Sequence, residues 1–142
     1  MNIRSWVVGA SVFAACVGLA VSQSDAQIKA GKSRPLKTKH LMSAVVVTNC
    51  GALRKALDGA GPADDKAWEA AEINAALLNE AGHSLMADGR CPDATWAAAS
   101  KALQDGGAAA VAKVQAKDVA GAKEALGVVL GSCKSCHTAH KK

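Results

Sequence analysis

Apolar residues recur three or four positions apart along most of the chain beyond residue 40, which is the spacing of one face of an α-helix. The first such stretch predicts a helix over about residues 41–57, and it ends at a glycine and proline signal, Gly59-Ala60-Gly61-Pro62. Three consecutive valines at 45–47 would suit a strand, but they lie inside the longer helical pattern. The apolar positions of this helix are Leu41, Met42, Val45, Val46, Leu53, Ala56 and Leu57.

Three further helices follow from the same spacing, and acidic residues mark their starts. The second begins near Asp64-Asp65, where carboxylates suit the positive end of the helix dipole, and it ends near Asp88-Gly89. Pro92 and Asp93 open the third helix, and Asp118 is the candidate N-cap of the fourth. Four helices joined by short connectors predict an all-α fold, an antiparallel up-down four-helix bundle.

The first 26 residues carry a pattern typical of an export signal peptide. Arg4 supplies a positive charge, an apolar run extends from Trp6 to Val21, and Ser24-Asp25-Ala26 offers small residues around a cleavage point. This run is short for a membrane span, so we expect cleavage before Gln27, a periplasmic or otherwise exported protein, and no stable membrane insertion afterwards. A membrane anchor and a lipoprotein signal at Cys16 are the alternatives.

The remaining chain divides into a leader and one domain. Residues 27–35 are polar and basic, and we expect this leader to be mobile. Residues 36–142 are enough for a single domain with one core. Without the export signal, 16 basic and 11 acidic residues leave a net charge of +5. Trp68 and Trp96 are then the only Phe, Tyr or Trp residues, so the core is thin and a flat apolar cofactor would help to complete it.

The end of the fourth helix carries Cys133-Lys134-Ser135-Cys136-His137, which matches the C-x-x-C-H pattern of covalent haem attachment. Positions i, i+3 and i+4 share one helix face, so this face presents two thiols and an imidazole. The thiols can add to the two haem vinyl groups, and the imidazole of His137 can bind the iron. Three alternatives stay open: a zinc site completed by His140, a redox-active dithiol, and a structural disulfide.

These residues make the chain resemble the class II cytochromes c, which include cytochrome c′, over about residues 36–142. The specific marks are LGSCKSCH near the C-terminus and CPDATW, which is similar to the Pro-acidic-x-Trp opening of that family's third helix. The resemblance implies one covalent haem c on Cys133 and Cys136, with His137 as the proximal iron ligand. Where the family usually has an aromatic residue and then an arginine after the haem histidine, this chain has His140 and Lys141.

Two functions are expected of such a haem protein. An enzymatic activity such as peroxide chemistry is not expected, because the sequence offers no acid–base pair for it. The first is electron transfer with a redox protein, for which the net positive charge favours an acidic partner at low salt. The alternative is the binding or sensing of small gases, nitric oxide or carbon monoxide, at an open haem position. We expect no nucleic-acid binding, because the basic residues are scattered without aromatic residues between them. A homodimer is left open beside a monomer.

Two further assignments depend on how the helices meet. In an antiparallel bundle the start of the first helix faces the end of the fourth, which brings His40 and Met42 near His137. Met42 belongs to the apolar face, so it is the candidate sixth iron ligand. The alternatives are a vacant iron position with Met42 as a core residue, and another ligand such as His40. Cys50 and Cys91 are left over once haem takes its pair, and an oxidising compartment predicts a disulfide between them. The opposite side of the first helix carries His40, Ala44, Val47 and Gly51.

Overall fold

The computed structural model describes residues 30–141, and in that range the regular structure is helical apart from one isolated bridge between Ala30 and Lys37. The prediction of an all-α fold is thus confirmed for the described residues, whereas the predicted export signal lies outside them. The first helical stretch has three consecutive parts: α1 (Thr38–Leu41), a π-helical segment (Met42–Val47) and α2 (Thr48–Ala56). Three long helices follow: α3 (Asp65–Met86), α4 (Ala94–Gln115) and α5 (Val119–His140).

Aspartate side chains fix the starts of the three long helices. Asp64, Asp93 and Asp118 precede α3, α4 and α5, and the backbone of each is extended. In each case Oδ1 accepts a hydrogen bond from the backbone N–H three residues later, at 2.8 to 2.9 Å. Such a bond satisfies one of the N–H groups that a helix start leaves without a partner. The helix starts predicted from these acidic residues are therefore confirmed.

Helix α4 is central to the packing, because it contacts both α3 and α5 extensively. Glycines lie where it approaches its neighbours. A Cβ added to Gly107 would come within 2.6 Å of the backbone nitrogen of Asn79 in α3. A Cβ added to Gly106 would meet the side chain of Val129 in α5 at 2.9 Å. The small residues therefore let the three long helices pack more closely than larger side chains would permit.

The first helical stretch packs differently. Its π-helical segment and α2 lie mainly against α3, and α2 makes only a small contact with α5. Leu53 of this stretch and Leu57, the residue that follows α2, are buried in the core. Trp96 is buried at the start of α4, and its Nε1 donates a hydrogen bond to the carbonyl of Leu85 at 2.9 Å, which ties α4 to the end of α3. Because α2 makes so little contact with α5, space is left between the first helical stretch and the C-terminal half of α5.

Asp88 binds the chain segment that precedes α1. Its carboxylate accepts hydrogen bonds from the backbone N–H groups of Ser33 and Arg34, both at 2.9 Å, and its carbonyl accepts one from Lys32. The N–H groups of Arg34 and then Ser33 lower the pKa of Asp88 from its usual value. The predicted mobility of the leader stays a prediction for residues 27–29, which lie outside the described range. From Lys32 to Arg34, however, the leader is attached to the turn after α3.

We expect Gly107→Ala to lower the free energy of unfolding, although alanine is the better helix former by about 0.8–1.0 kcal/mol. The new methyl group would lie 2.6 Å from a backbone atom of Asn79, which cannot move aside unless α3 and α4 separate. Gly127→Ala is the matched control in α5, because nothing lies within 4 Å of a Cβ there, and it should stabilise the fold by about 0.5–1 kcal/mol. Urea unfolding followed by circular dichroism measures both; a stabilising Gly107→Ala would contradict the close packing of α3 on α4.

Candidate functional site

An apolar cavity of about 260 Å³ occupies the space between the first helical stretch and α5. Arg54 is the only lysine, arginine or acidic residue in its lining, and this side chain is exposed. The first helical stretch contributes Met42, Val46, Val47, Cys50, Gly51 and Arg54. Helix α5 contributes Leu130, Ser132, Cys133, Cys136 and His137, and the lining is completed by Leu85, Ala99, Ser100 and Leu103.

The last turns of α5 bring the functional groups of the C-x-x-C-H motif to this cavity. Cys133, Cys136 and His137 all line it, as their helical spacing predicts. Cys136 is buried, Cys133 is half-buried and His137 is exposed. The helix continues beyond the motif to His140, and the carbonyl of His137 accepts a hydrogen bond from the N–H of Lys141 at 3.0 Å. Two thiols and an imidazole therefore meet one apolar space from a continuous helix.

Burial keeps these three groups uncharged at neutral pH. It raises the pKa of Cys136 to about 11, with further contributions from the negative charges of Cys133 and Asp93. Burial also raises the pKa of Cys133, although a hydrogen bond from Ser132 acts in the opposite direction. The pKa of His137 is lowered by burial and then by the positive charge of Lys141. The imidazole is therefore neutral at pH 7, the form in which its nitrogen can bind a metal ion.

Met42 lines the cavity from the first helical stretch, on the inward side predicted for it, and His40 is exposed and outside the lining. The expectation for Val47 and Gly51 is wrong, because both line the cavity instead of sharing the side of His40. The cause is the π-helical segment Met42–Val47, whose i→i+5 bonding adds one residue to a helical turn. Residues after this segment are rotated by about one position relative to a regular helix.

The same rotation explains two lining residues that the sequence pattern did not predict, Cys50 and Arg54. They follow Met42 by eight and twelve positions, which places them away from its face on a regular helix. Once the extra residue of the π-helical segment is taken out, the separations become equivalent to seven and eleven, about two and three whole turns. Cys50 and Arg54 then lie on the face of Met42. Only the position of the π-helical segment could have identified them.

His140 lies away from the cavity, in a cluster that joins the end of α5 to the start of α4. Its side chain is buried and edge-on to the indole of Trp96, with ring centroids 5.3 Å apart. Its Nε2 is 3.4 Å from Oδ1 of Asp93, the residue that caps α4. The zinc alternative required His140 beside the two motif cysteines. Within residues 30–141, no group of three or more His, Cys, Asp or Glu side chains is arranged to hold a metal ion.

The cysteines at 50, 91, 133 and 136 all carry free thiols in the structure. Cys50 lies in the cavity wall opposite the motif. Cys91 precedes α4, and its Sγ is 3.4 Å from the backbone carbonyl of Asp93, to which it donates a hydrogen bond. The disulfide between Cys50 and Cys91 stays a prediction, and forming it would require the Cα atoms to come within about 7 Å of each other.

No protein-family model, no curated protein and no solved structure matches this chain. As to membranes, none of the helices in the described part of the chain is long and apolar enough to cross one.

We expect Asp93→Ala to destabilise the fold more than Asp64→Ala. Both substitutions remove an N-cap, which costs about 0.5–2 kcal/mol, but Asp93 also contacts His140 and so helps to hold the end of α5 on α4. Asp64 is the matched control, because it caps α3 with the same hydrogen-bond geometry. Urea unfolding measures the difference. Equal losses from the two variants would show that the contact between Asp93 and His140 contributes nothing measurable.

Proposed function

We propose that this chain is an exported c-type cytochrome that carries one covalent haem and transfers electrons. The observation that carries the proposal is the presence of Cys133, Cys136 and His137 in the lining of a single apolar cavity. A haem c needs two thiols for its vinyl groups and an axial imidazole for its iron. Cys133 and Cys136 would hold the porphyrin by thioether bonds, and His137 would be the proximal iron ligand.

The rest of the lining fits a porphyrin. Valine, leucine and methionine side chains from the first helical stretch, α3, α4 and α5 surround the space, and a flat apolar ring requires such contacts. The one charged lining residue, Arg54, is exposed, so a ring in the cavity would not bury an unpaired charge. The two thiols and the imidazole add no charge, because desolvation at the cavity raises the pKa of both thiols and lowers that of His137.

The proposal also includes the arrangement of the helices as a four-helix bundle. Helix contacts run from α2 to α3, from α3 to α4, from α4 to α5, and from α5 back to α2. Such a closed ring of neighbours, joined by short connectors, supports an antiparallel up-down four-helix bundle over residues 36–142. In this arrangement the start of the first helical stretch would stand beside the end of α5, which agrees with the shared cavity lining of Met42 and His137.

Haem would supply a one-electron iron couple, and the side chains around it would set its potential and its access to water. The neutral imidazole of His137 would present a ring nitrogen to the iron. Contacts of His140 with Trp96 and Asp93 would hold the last turn of α5 in place. The net charge of +5 would favour a redox partner with an acidic surface in an exported, periplasmic setting. Neither an enzymatic activity nor a nucleic-acid partner is part of this proposal.

The second candidate function is the binding or sensing of nitric oxide or carbon monoxide. The observation that favours it is the half-buried position of Met42 beside Val46 and Val47 in the cavity wall. If Met42 is only a packing residue, these apolar side chains would shield a vacant iron position, which is open to small uncharged gases. If Met42 binds the iron, its thioether would raise the reduction potential and suit an electron carrier.

We expect the exported protein to carry haem that survives denaturation, because thioether bonds are covalent. Intact-mass spectrometry of the unfolded protein should show the mass of one haem added to the chain. The double variant Cys133→Ala, Cys136→Ala should lose it, whereas Cys91→Ser is the matched control and should keep it, since Cys91 is outside the cavity lining. A colourless, zinc-containing wild-type protein would overturn the proposal.

The visible spectrum decides between the two candidate functions. We expect low-spin ferric haem at neutral pH, and Met42→Ala should convert it to high-spin haem that binds carbon monoxide in the ferrous state. His40→Ala is the matched control, because His40 is exposed and outside the lining, and it should leave the spectrum unchanged. High-spin haem in the wild-type protein at neutral pH would make Met42 a packing residue and favour gas binding.

A further inference from the structure

Three thiols line one cavity, and the proposed function uses only two of them. Cys133 and Cys136 come from α5, and Cys50 comes from α2 on the opposite wall. Cys50 is half-buried, as is Cys133. The thiol of Cys50 has no part in the attachment of a haem, because a haem has two vinyl groups and both are taken by the motif.

Cys50 and Cys133 lie near one another across the cavity. Helices α2 and α5 touch, and both cysteines line the cavity between them. The pKa of Cys50 is raised first by burial and then by the negative charge that Cys133 would carry, which agrees with their places in one cavity lining. Cys91 is not in the cavity lining, and its Sγ is directed to the carbonyl of Asp93.

We propose that Cys50 and Cys133 form a disulfide in the haem-free chain, and that this bond withdraws Cys133 from haem attachment. The two thiols lose two protons and two electrons. A small disulfide such as glutathione disulfide accepts them and is reduced to two thiols. The bond is a property of the chain alone, whereas its effect on haem attachment rests on the proposed function. Thioether and disulfide exclude each other, because both use the sulfur of Cys133.

The disulfide would also change the cavity. A disulfide requires its two Cα atoms to lie about 4.4–6.8 Å apart, so it would hold α2 against α5 at the level of Cys133. That contact is small in the structure, and the cavity occupies the space beside it. The oxidised, haem-free chain would therefore be a closed form, and reduction of Cys50–Cys133 would both reopen the cavity and restore the thiol that haem needs.

The four cysteines can be separated by a single protease, which makes the test direct. Trypsin cleaves after lysine and arginine, so Cys50, Cys91, Cys133 and Cys136 fall in the peptides 40–54, 91–101, 124–134 and 135–141. Residues 27–142 are produced without haem, equilibrated with oxidised and reduced glutathione, alkylated, and digested without reduction. The same chain oxidised in concentrated guanidinium chloride is the unfolded reference, in which the short loop between Cys133 and Cys136 should favour their pairing.

We expect mass spectrometry to find peptide 40–54 linked to 124–134 as the main product in native buffer, and not in denaturant. Cys91→Ser is the matched control and should leave this link intact, whereas Cys50→Ser should abolish it. In haem-loaded protein the link between peptides 40–54 and 124–134 should be absent, since Cys133 is then a thioether. A main product that links Cys50 to Cys91 or Cys133 to Cys136, or equal patterns in buffer and denaturant, would overturn the inference. A chain that forms the link but never carries haem would contradict the proposed function only.

Discussion

Gly106 and Gly107 let α4 lie close to both α5 and α3, and the rest of the structure depends on this contact. The close packing fixes the three long helices as one unit. The first helical stretch completes that unit by packing on α3, and the contact that α2 makes with α5 is small. The stretch packs on α3 on one side and makes little contact with α5 on the other. A cavity therefore remains near the C-terminal end of α5, where Cys133, Cys136 and His137 lie.

The helices themselves could be predicted from the sequence, because the signals that determine them are local. Asp64, Asp93 and Asp118 cap helices within three residues of their own positions, and the apolar spacing identifies the buried faces. The attachment of the leader to Asp88 could not be predicted in this way. Its hydrogen bonds join residues more than fifty positions apart, and they exist only because the turn after α3 lies beside the leader in the folded chain.

In the candidate site, too, local spacing predicts some of the residues and the tertiary structure determines the others. The cavity lining by Cys133, Cys136 and His137 follows from their spacing on one helix, so the motif alone was enough to place them together. The opposite wall depends on the π-helical segment Met42–Val47, which no 3.6-residue pattern contains. Met42 is the first residue of this segment and lies on the side that the sequence predicts, whereas Cys50 and Arg54 follow the segment and are not predicted. The burial of His140 against Trp96 likewise depends on a tertiary contact.

Covalent attachment of the proposed haem would reduce the enclosure that the cavity has to provide. A haem held only by apolar contacts needs deep enclosure, which a cavity of about 260 Å³ would not give, since typical ligand pockets measure about 300–1,000 Å³. Thioether bonds and an axial ligand would fix the ring by themselves, so enclosure could be partial and one edge could remain at the surface. Val47 and Leu130 line the cavity and are 65% and 45% exposed, with Arg54 in the same lining. If the proposed function holds, an apolar border with one cation at the exposed edge would suit a transient, acidic redox partner that has to come close to the haem.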